Sequence, residues 1–214
     1  MRWKSPDRRP LRSRRRGDRE RVMELLRAVQ LPDPERLLRK YPHELSGGQR
    51  QRVMIAMALL LDPRLVIADE PTTALDVTIQ AQILKLLRRL ANERGVSVLF
   101  TTHDLGSAWE ICDRVTVMYA GQELESAPID AFVRTPMVPY TRLLLESLPS
   151  SGSPLRGIAG DVPNMVAPPT GCRFHPRCPR ASDACRDEHP AARETEQGHQ
   201  VRCHHPHLRQ VAAA

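Results

Sequence analysis

Apolar residues follow two rhythms along this chain, and the changes of rhythm mark its elements. Val22, Leu25, Leu26 and Val29 recur at helical spacing, and Leu31-Pro32 ends that helix. A short helix from Asp33 or Pro34 through Leu37-Leu38 closes before Pro42. From Ser46 to Leu61 the pattern predicts a helix that is apolar nearly all round, through Val53, Ile55, Met57 and Leu59 to Leu61, and therefore buried. Asp62-Pro63 stops it. Leu65 to Ala68 predicts a short strand buried on both faces. Val77 to Asn92 predicts an amphipathic helix with Ile79, Ile83, Leu86, Leu87 and Leu90 on one side, ended by Gly95.

Ser97 to Thr102 predicts a second strand, followed by a short helix through Trp109 to Cys112. Arg114–Tyr119, Ala120-Gly121 and Gln122–Glu125 read as strand, turn, strand. Strands alternating with helices predict an α/β fold with a parallel sheet. Cys112, Met54, Met57 and Met118 are expected to be packing residues. After Ile129–Arg134, a helix over Tyr140–Leu148 and a Pro/Ser/Gly linker lead into a cysteine-rich tail.

Composition narrows the class. A chain of 214 residues with 41% hydrophobic content can bury one core and a small appendage. No window approaches the eighteen unbroken apolar residues of a membrane span, and no apolar segment follows the charged N-terminus as in a signal peptide. A cytosolic protein is expected. The net charge of +7 is concentrated in residues 1–21, which hold nine Arg and one Lys against three acids. The remainder balances at zero, so nucleic acid is not the expected partner. Pro6, Pro10 and Gly17 predict a solvated, disordered arm there.

Two stretches carry chemistry. In Leu45-Ser46-Gly47-Gly48-Gln49, Ser46 and Gln49 have capping-box spacing, which makes Ser46 a helix N-cap. Gly47 and Gly48 leave backbone N–H groups uncovered at the end of the helix where the dipole favours an anion. In Leu65-Val66-Ile67-Ala68-Asp69-Glu70-Pro71, two carboxylates stand at the carboxyl end of a strand, where open α/β sheets bind ligands. Neighbours on a strand face opposite ways, so Asp69 and Glu70 can take different jobs, one near a metal and one near a water.

Together these stretches resemble the ATP-binding-cassette ATPases, as a partial P-loop NTPase domain with a helical subdomain. The resemblance implies that Ser46, Gly47, Gly48 and Gln49 form the signature that meets an ATP held by a partner subunit. It implies that Asp69 serves Mg²⁺, that Glu70 polarises the attacking water and that His103, in Leu99-Phe100-Thr101-Thr102-His103-Asp104, contacts the γ-phosphate. Asp76, closing Ala74-Leu75-Asp76, matches the loop that crosses the dimer interface. ATP and Mg²⁺ are the implied cofactors, and a second ATPase subunit is the implied partner.

A phosphate-binding loop of the form G-x-x-x-x-G-K-[ST] is absent: Lys4, Lys40 and Lys85 are the lysines, and none follows a glycine. The resemblance runs from about Val22 to the C-terminus, leaving the basic arm outside it. A truncated or mis-started reading frame is the expectation, and activity of the chain alone is in doubt. A silent subunit supplying the signature in trans is the alternative. DNA-repair relatives of the family insert a coiled coil, and no heptads occur here.

The segment from Thr135 to Thr141 and that from Gly171 to Pro179 resemble the C-terminal extension of the peptide-importer branch, with Val138 where the family has His. That resemblance implies di- or oligopeptide cargo, or a nickel complex, with membrane permeases, an extracytoplasmic binding protein and a place on the cytoplasmic face of the membrane. The expected organisation is an arm over 1–21, an ATPase domain over 22–134 and an extension over 135–214. Cys172, Cys178, Cys185 and Cys203 suggest a metal site more than disulfides in a cytosolic protein. A tight zinc pair is missing, which favours a [4Fe–4S] cluster over zinc. His175, His199, His204 and His205 are available as substitute zinc ligands, and an unmetallated tail stays open.

Overall fold

A computed structural model describes residues 11–73, 75–148, 157–195 and 198–207. The chain divides into two compact units between Ile111 and Cys112. The linker expected after Leu148 falls outside the described residues, as do the first ten residues of the arm.

In the first unit, α1 spans Leu11–Ala28, followed by α2 over Pro34–Leu37, a 3-10 turn over Pro42–Glu44 and α3 over Gly47–Leu59. Strand β1 (Leu65–Asp69), α4 (Val77–Arg94), β2 (Ser97–Thr101) and α5 (Leu105–Ile111) complete it. Helix α1 starts at Leu11 instead of near Val22, so the second half of the expected arm is helical. Gly17 costs such a helix only about 1 kcal/mol. Docking outweighs it, because Met23, Leu25, Leu26 and Val29 are buried with Ile55 and Leu59 of α3 and with Ile83, Leu86, Leu87 and Leu90 of α4. Two guanidinium groups finish the helix: Arg52 donates to Val29 O at 2.8 Å and Arg89 to Ala28 O at 2.6 Å. They satisfy carbonyls that have no partner within the helix.

Strands β1 and β2 pair in parallel, Asp69 opposite Thr101, and form a two-stranded sheet. This confirms the α/β alternation and corrects two burial expectations. Ile67 is 66% exposed, and Met54 and Met57 on α3 are 61% and 68% exposed. With one neighbour per strand, the second face of β1 has no covering layer among the described residues. A cavity of about 180 Å³ lies between β1, α3 and α4, lined by Met54, Ile55, Leu59, Val66, Ile67 and Leu90.

The second unit holds β3 (Arg114–Tyr119), β4 (Gln122–Pro128), α6 (Ile129–Arg134), α7 (Pro139–Glu146), a 3-10 turn over His175–Arg177, α8 (Asp183–Asp187), β5 (Arg193–Glu194) and β6 (Gln200–Val201). These strands form an antiparallel sheet in the order β3-β4-β6-β5, separate from β1 and β2. The two-residue turn has φ of 48° at Ala120 and 77° at Gly121, the combination a type I′ hairpin requires. Met118, expected in the core, is exposed on this hairpin. The core instead joins Tyr119, Leu124, Val138, Phe174 and Val201. Tyr119, Tyr140 and Phe174 meet edge to face or tilted, with ring centres 4.8 to 5.1 Å apart.

Candidate nucleotide site and the cysteine-rich unit

Helix α3 begins as its spacing predicts. Ser46 Oγ accepts the Gln49 N–H at 3.2 Å, and the Ser46 N–H donates to Gln49 Oε1 at 3.1 Å. This capping box settles two end groups and, among the described residues, leaves the glycine amides of the first turn without a side-chain cap of their own. Ser46 is exposed, and Gly47, Gly48 and Gln49 are half-buried. Gly48 also serves packing. A Cβ built on it would stand 2.9 Å from Ile79 Cγ2, and one on Gly47 would stand 3.3 Å from Leu75 Cδ2. The absence of side chains lets the tip of α3 close on the start of α4.

At the strand tips, Asp69 and Glu70 are both exposed. The Thr101 hydroxyl donates to Asp69 Oδ1 across the β1–β2 pair. Glu70 is left-handed, with φ of 42°, a conformation that costs a non-glycine residue about 1 kcal/mol. Its N–H bonds to Thr101 O at 3.1 Å, and its carbonyl accepts the Thr73 N–H at 3.1 Å, closing a turn. That turn brings the Thr73 hydroxyl to Glu70 Oε2 at 2.9 Å, while His103 Nδ1 stands 3.0 Å from Oε1. The hydrogen bonds from His103 and Thr73 hold the Glu70 carboxyl below its ordinary range, so it is a carboxylate at neutral pH.

Asp76 plays a structural part, since its Oδ1 accepts the Ile79 N–H at 2.9 Å and caps α4. Ala74, in the same loop, lies outside the described residues. Asp104 caps α5, accepting from Gly106 and Ser107. The Ser107 hydroxyl, then the amides of Gly106 and Ser107 and the Gln80 side chain, hold its carboxyl low against the opposing effect of burial. Asp69, Glu70 and His103, singled out by their motifs, do come together at one place. Thr73 and Thr101 join them without having been singled out, and Asp104, bonded to Gln80, follows His103 in the chain. The threonine doublets Thr72-Thr73, just after the two acids, and Thr101-Thr102, just before His103, were the available signal.

The four cysteines of the second unit do converge. Cys172, Cys178, Cys185 and Cys203 line one void of about 20 Å³, beside Phe174 and Val138. The Cys172 N–H donates to Cys185 O at 2.9 Å, and Gly171, at φ of 62°, permits that approach. Thiolates suit soft metals. Even so, no group of three or more His, Cys, Asp or Glu among the described residues is arranged to hold a metal ion. The expected [4Fe–4S] or zinc centre is therefore not supported, and no chemistry is derived through it. Burial pushes the Cys172 and Cys178 thiols up and Cys203 up to about 11, which keeps them protonated.

The substitute histidines are occupied as well. His175 Nδ1 meets Cys172 O, His204 Nε2 meets Glu188 O and His205 Nε2 meets Ser182 Oγ. His199 is buried, with Nε2 2.8 Å from Glu125 Oε1, at ion-pair distance but outside hydrogen-bond alignment.

Two exposed carboxylates and a histidine at neighbouring parallel strand ends, and a glycine-opened start to α3, are the groups the structure offers for a site. Residues 5–73 match the family described as ABC transporter, and residues 124–185 match the one described as Oligopeptide/dipeptide transporter, C-terminal region. Over these two stretches the chain is similar to ABC transporter ATP-binding proteins. The first match begins at residue 5, so most of the basic stretch lies within it, contrary to expectation.

Over 188 residues the chain is 51% identical to a probable peptide ABC transporter ATP-binding protein of Sinorhizobium fredii, covering 86% of this chain and 56% of that one. It is 50% identical over 188 residues to the oligopeptide transport ATP-binding protein AppD of Bacillus subtilis, covering 86% and 57%. It is 47% identical over 191 residues to the dipeptide transport ATP-binding protein DppD of Escherichia coli, covering 88% and 58%. The chain spans a little over half the length of these curated relatives. A solved dimeric bacterial ABC transporter cassette aligns with a TM-score of 0.47 at 33% identity, covering 58% of this chain and 51% of that one.

Proposed function

We propose that this chain acts as the ATP-binding subunit of an importer for di- or oligopeptides, with ATP hydrolysed at the interface of two such subunits. The observation that carries the reading is the Glu70–His103 pair, 3.0 Å apart at adjacent strand ends beside Asp69. Its residues fit nucleotide and Mg²⁺ by chemistry: an exposed hard-oxygen ligand in Asp69, and uncovered amides at the tip of a 13-residue helix. Bound ATP with Mg²⁺ supplies the scissile phosphoanhydride and its charge neutralisation. Asp69 would hold the metal ion. Glu70, ionised at neutral pH, accepts the proton of the attacking water.

His103 holds Glu70 until it turns to the γ-phosphate. Ser46, Gly47, Gly48 and Gln49 complete the partner subunit's nucleotide site, and Asp76 sits at the seam. Peptide cargo is supported by the match over residues 124–185 and by the transport functions for which the relatives are named. No helix among the described residues is long and apolar enough to cross a membrane. The chain would work by docking on permease subunits at the cytoplasmic face, and an extracytoplasmic binding protein would deliver the peptide.

The test is ATP binding by the full chain, then ATPase turnover when it is mixed with an intact relative. Added chain is expected to raise turnover, Ser46→Arg to abolish that gain, and Glu70→Gln to lower it about a hundredfold. A mixture indifferent to both substitutions would overturn the proposal.

A further inference from the structure

Gln80 lies one turn into α4 and joins two parts of the site that sequence motifs treat separately. Its N–H donates to Asp76 O at 2.8 Å, within the turn that Asp76 caps. Its side-chain Nε2 leaves the helix and donates to Asp104 Oδ2 at 3.0 Å and to Ser107 Oγ at 2.6 Å. Ser107 is buried, and its own hydroxyl donates to Asp104 Oδ2 at 2.5 Å. The other oxygen of Asp104 accepts the Gly106 N–H at 3.0 Å, and the Asp104 N–H donates to Thr102 Oγ1 at 3.0 Å. Asp104 is thus held on every side, and His103 is its immediate neighbour.

His103 has much less support of its own. Its side chain is largely exposed and reaches Glu70 Oε1. The direction of its imidazole therefore depends on that contact and on the adjoining backbone, which Asp104 helps to fix. Ile79, the residue before Gln80, is the one against which Gly48 closes.

We propose that Gln80 is a positioning residue for His103, acting through Asp104. The proposal rests on the reading of His103 as a site residue, and it adds a link from the seat of the signature helix, through the first turn of α4, to the histidine. The chemistry is specific. An amide nitrogen offers two N–H donors to two acceptors, whereas a carboxylate of the same shape offers none and would face Asp104 with like charge.

The test uses the full chain at neutral pH without nucleotide. Its eight histidines carry an isotope label, and the His103 imidazole signal is assigned by its loss in His103→Ala. Gln80→Glu and Gln80→Met are each expected to displace the His103 signal and leave the other histidine signals in place. Lys85→Ala, an exposed change further along α4, should displace none. Combining Gln80→Glu with Asp104→Asn reverses donor and acceptor and should bring the His103 signal part of the way back.

An unmoved His103 signal in a folded Gln80→Glu or Gln80→Met chain would overturn the proposal. So would a double variant no closer to the parent than Gln80→Glu alone. A role confined to packing α4 on α5 predicts no such reversal. The signal is read without ATP or a partner subunit, so failure of the ATPase test would remove the proposed function and leave this result standing.

Discussion

Glu125 and His199 meet 2.8 Å apart inside the second unit, with essentially no exposure on either side chain. Glu125 also accepts the Met137 N–H at 2.8 Å and the Val138 N–H at 3.0 Å. One carboxylate thus ties the β4 hairpin strand, the entry to α7 and the segment before β6. Glu125→Ala leaves the part-buried Met137 amide and the buried Val138 amide without their acceptor and removes the carboxylate beside buried His199, and should cost about 3 kcal/mol. Hydrogen exchange of the peptide around Met137 and Val138 should rise in step with the loss of stability.

Gly48→Ala is expected to destabilise the first unit by about 1–2 kcal/mol, although alanine is the better helix former. The new methyl would meet Ile79 Cγ2 at 2.9 Å, a branch close to the backbone that has little room to yield. Gly47→Ala, meeting Leu75 at 3.3 Å, should cost less. Urea unfolding of the two variants checks the order, and Ile79→Ala should relieve the Gly48→Ala loss.

Ala120 is left-handed at φ of 48° in a turn that asks for positive φ at both central positions. Ala120→Asn should therefore stabilise the hairpin by about 1 kcal/mol, measured as a raised unfolding midpoint. Gly121→Ala should do the opposite, because its φ is 77° and a Cβ would also press on Arg173 and Met165 at 3.3 Å.

Thr141 is wholly buried and its hydroxyl has no hydrogen-bond partner among the described residues. Thr141→Val keeps the shape and removes the unsatisfied group. It should leave stability unchanged or raise it by about 1 kcal/mol, as read by thermal unfolding.

The alkaline limb of stability should carry the mark of Cys203. Burial pushes its thiol from 9.0 to about 11, with like-charge repulsion from Cys172, Cys178 and Cys185 in the same direction. A folded pKa above the unfolded one means that the native state holds the proton longer. Its stabilising contribution is therefore complete below pH 9.0 and disappears as pH rises to about 11. Urea midpoints measured across that window should fall, and Cys203→Ala should flatten the decline.

What the sequence by itself determined is what depends on near neighbours. The capping box at Ser46 and Gln49, the two-residue turn at Ala120-Gly121 and the strand tips leading to Asp69 and His103 were legible because each is set by a spacing of a few residues. Tertiary structure decided everything that joins distant segments. It gave Gln80 to Asp104, Glu125 to His199 and four thiols to one small void. It also left Met54, Met57 and Ile67 exposed although the apolar pattern predicted burial. Local hydrogen bonds are encoded by order along the chain, whereas burial depends on which surfaces finally meet, and no periodicity specifies the partner surface.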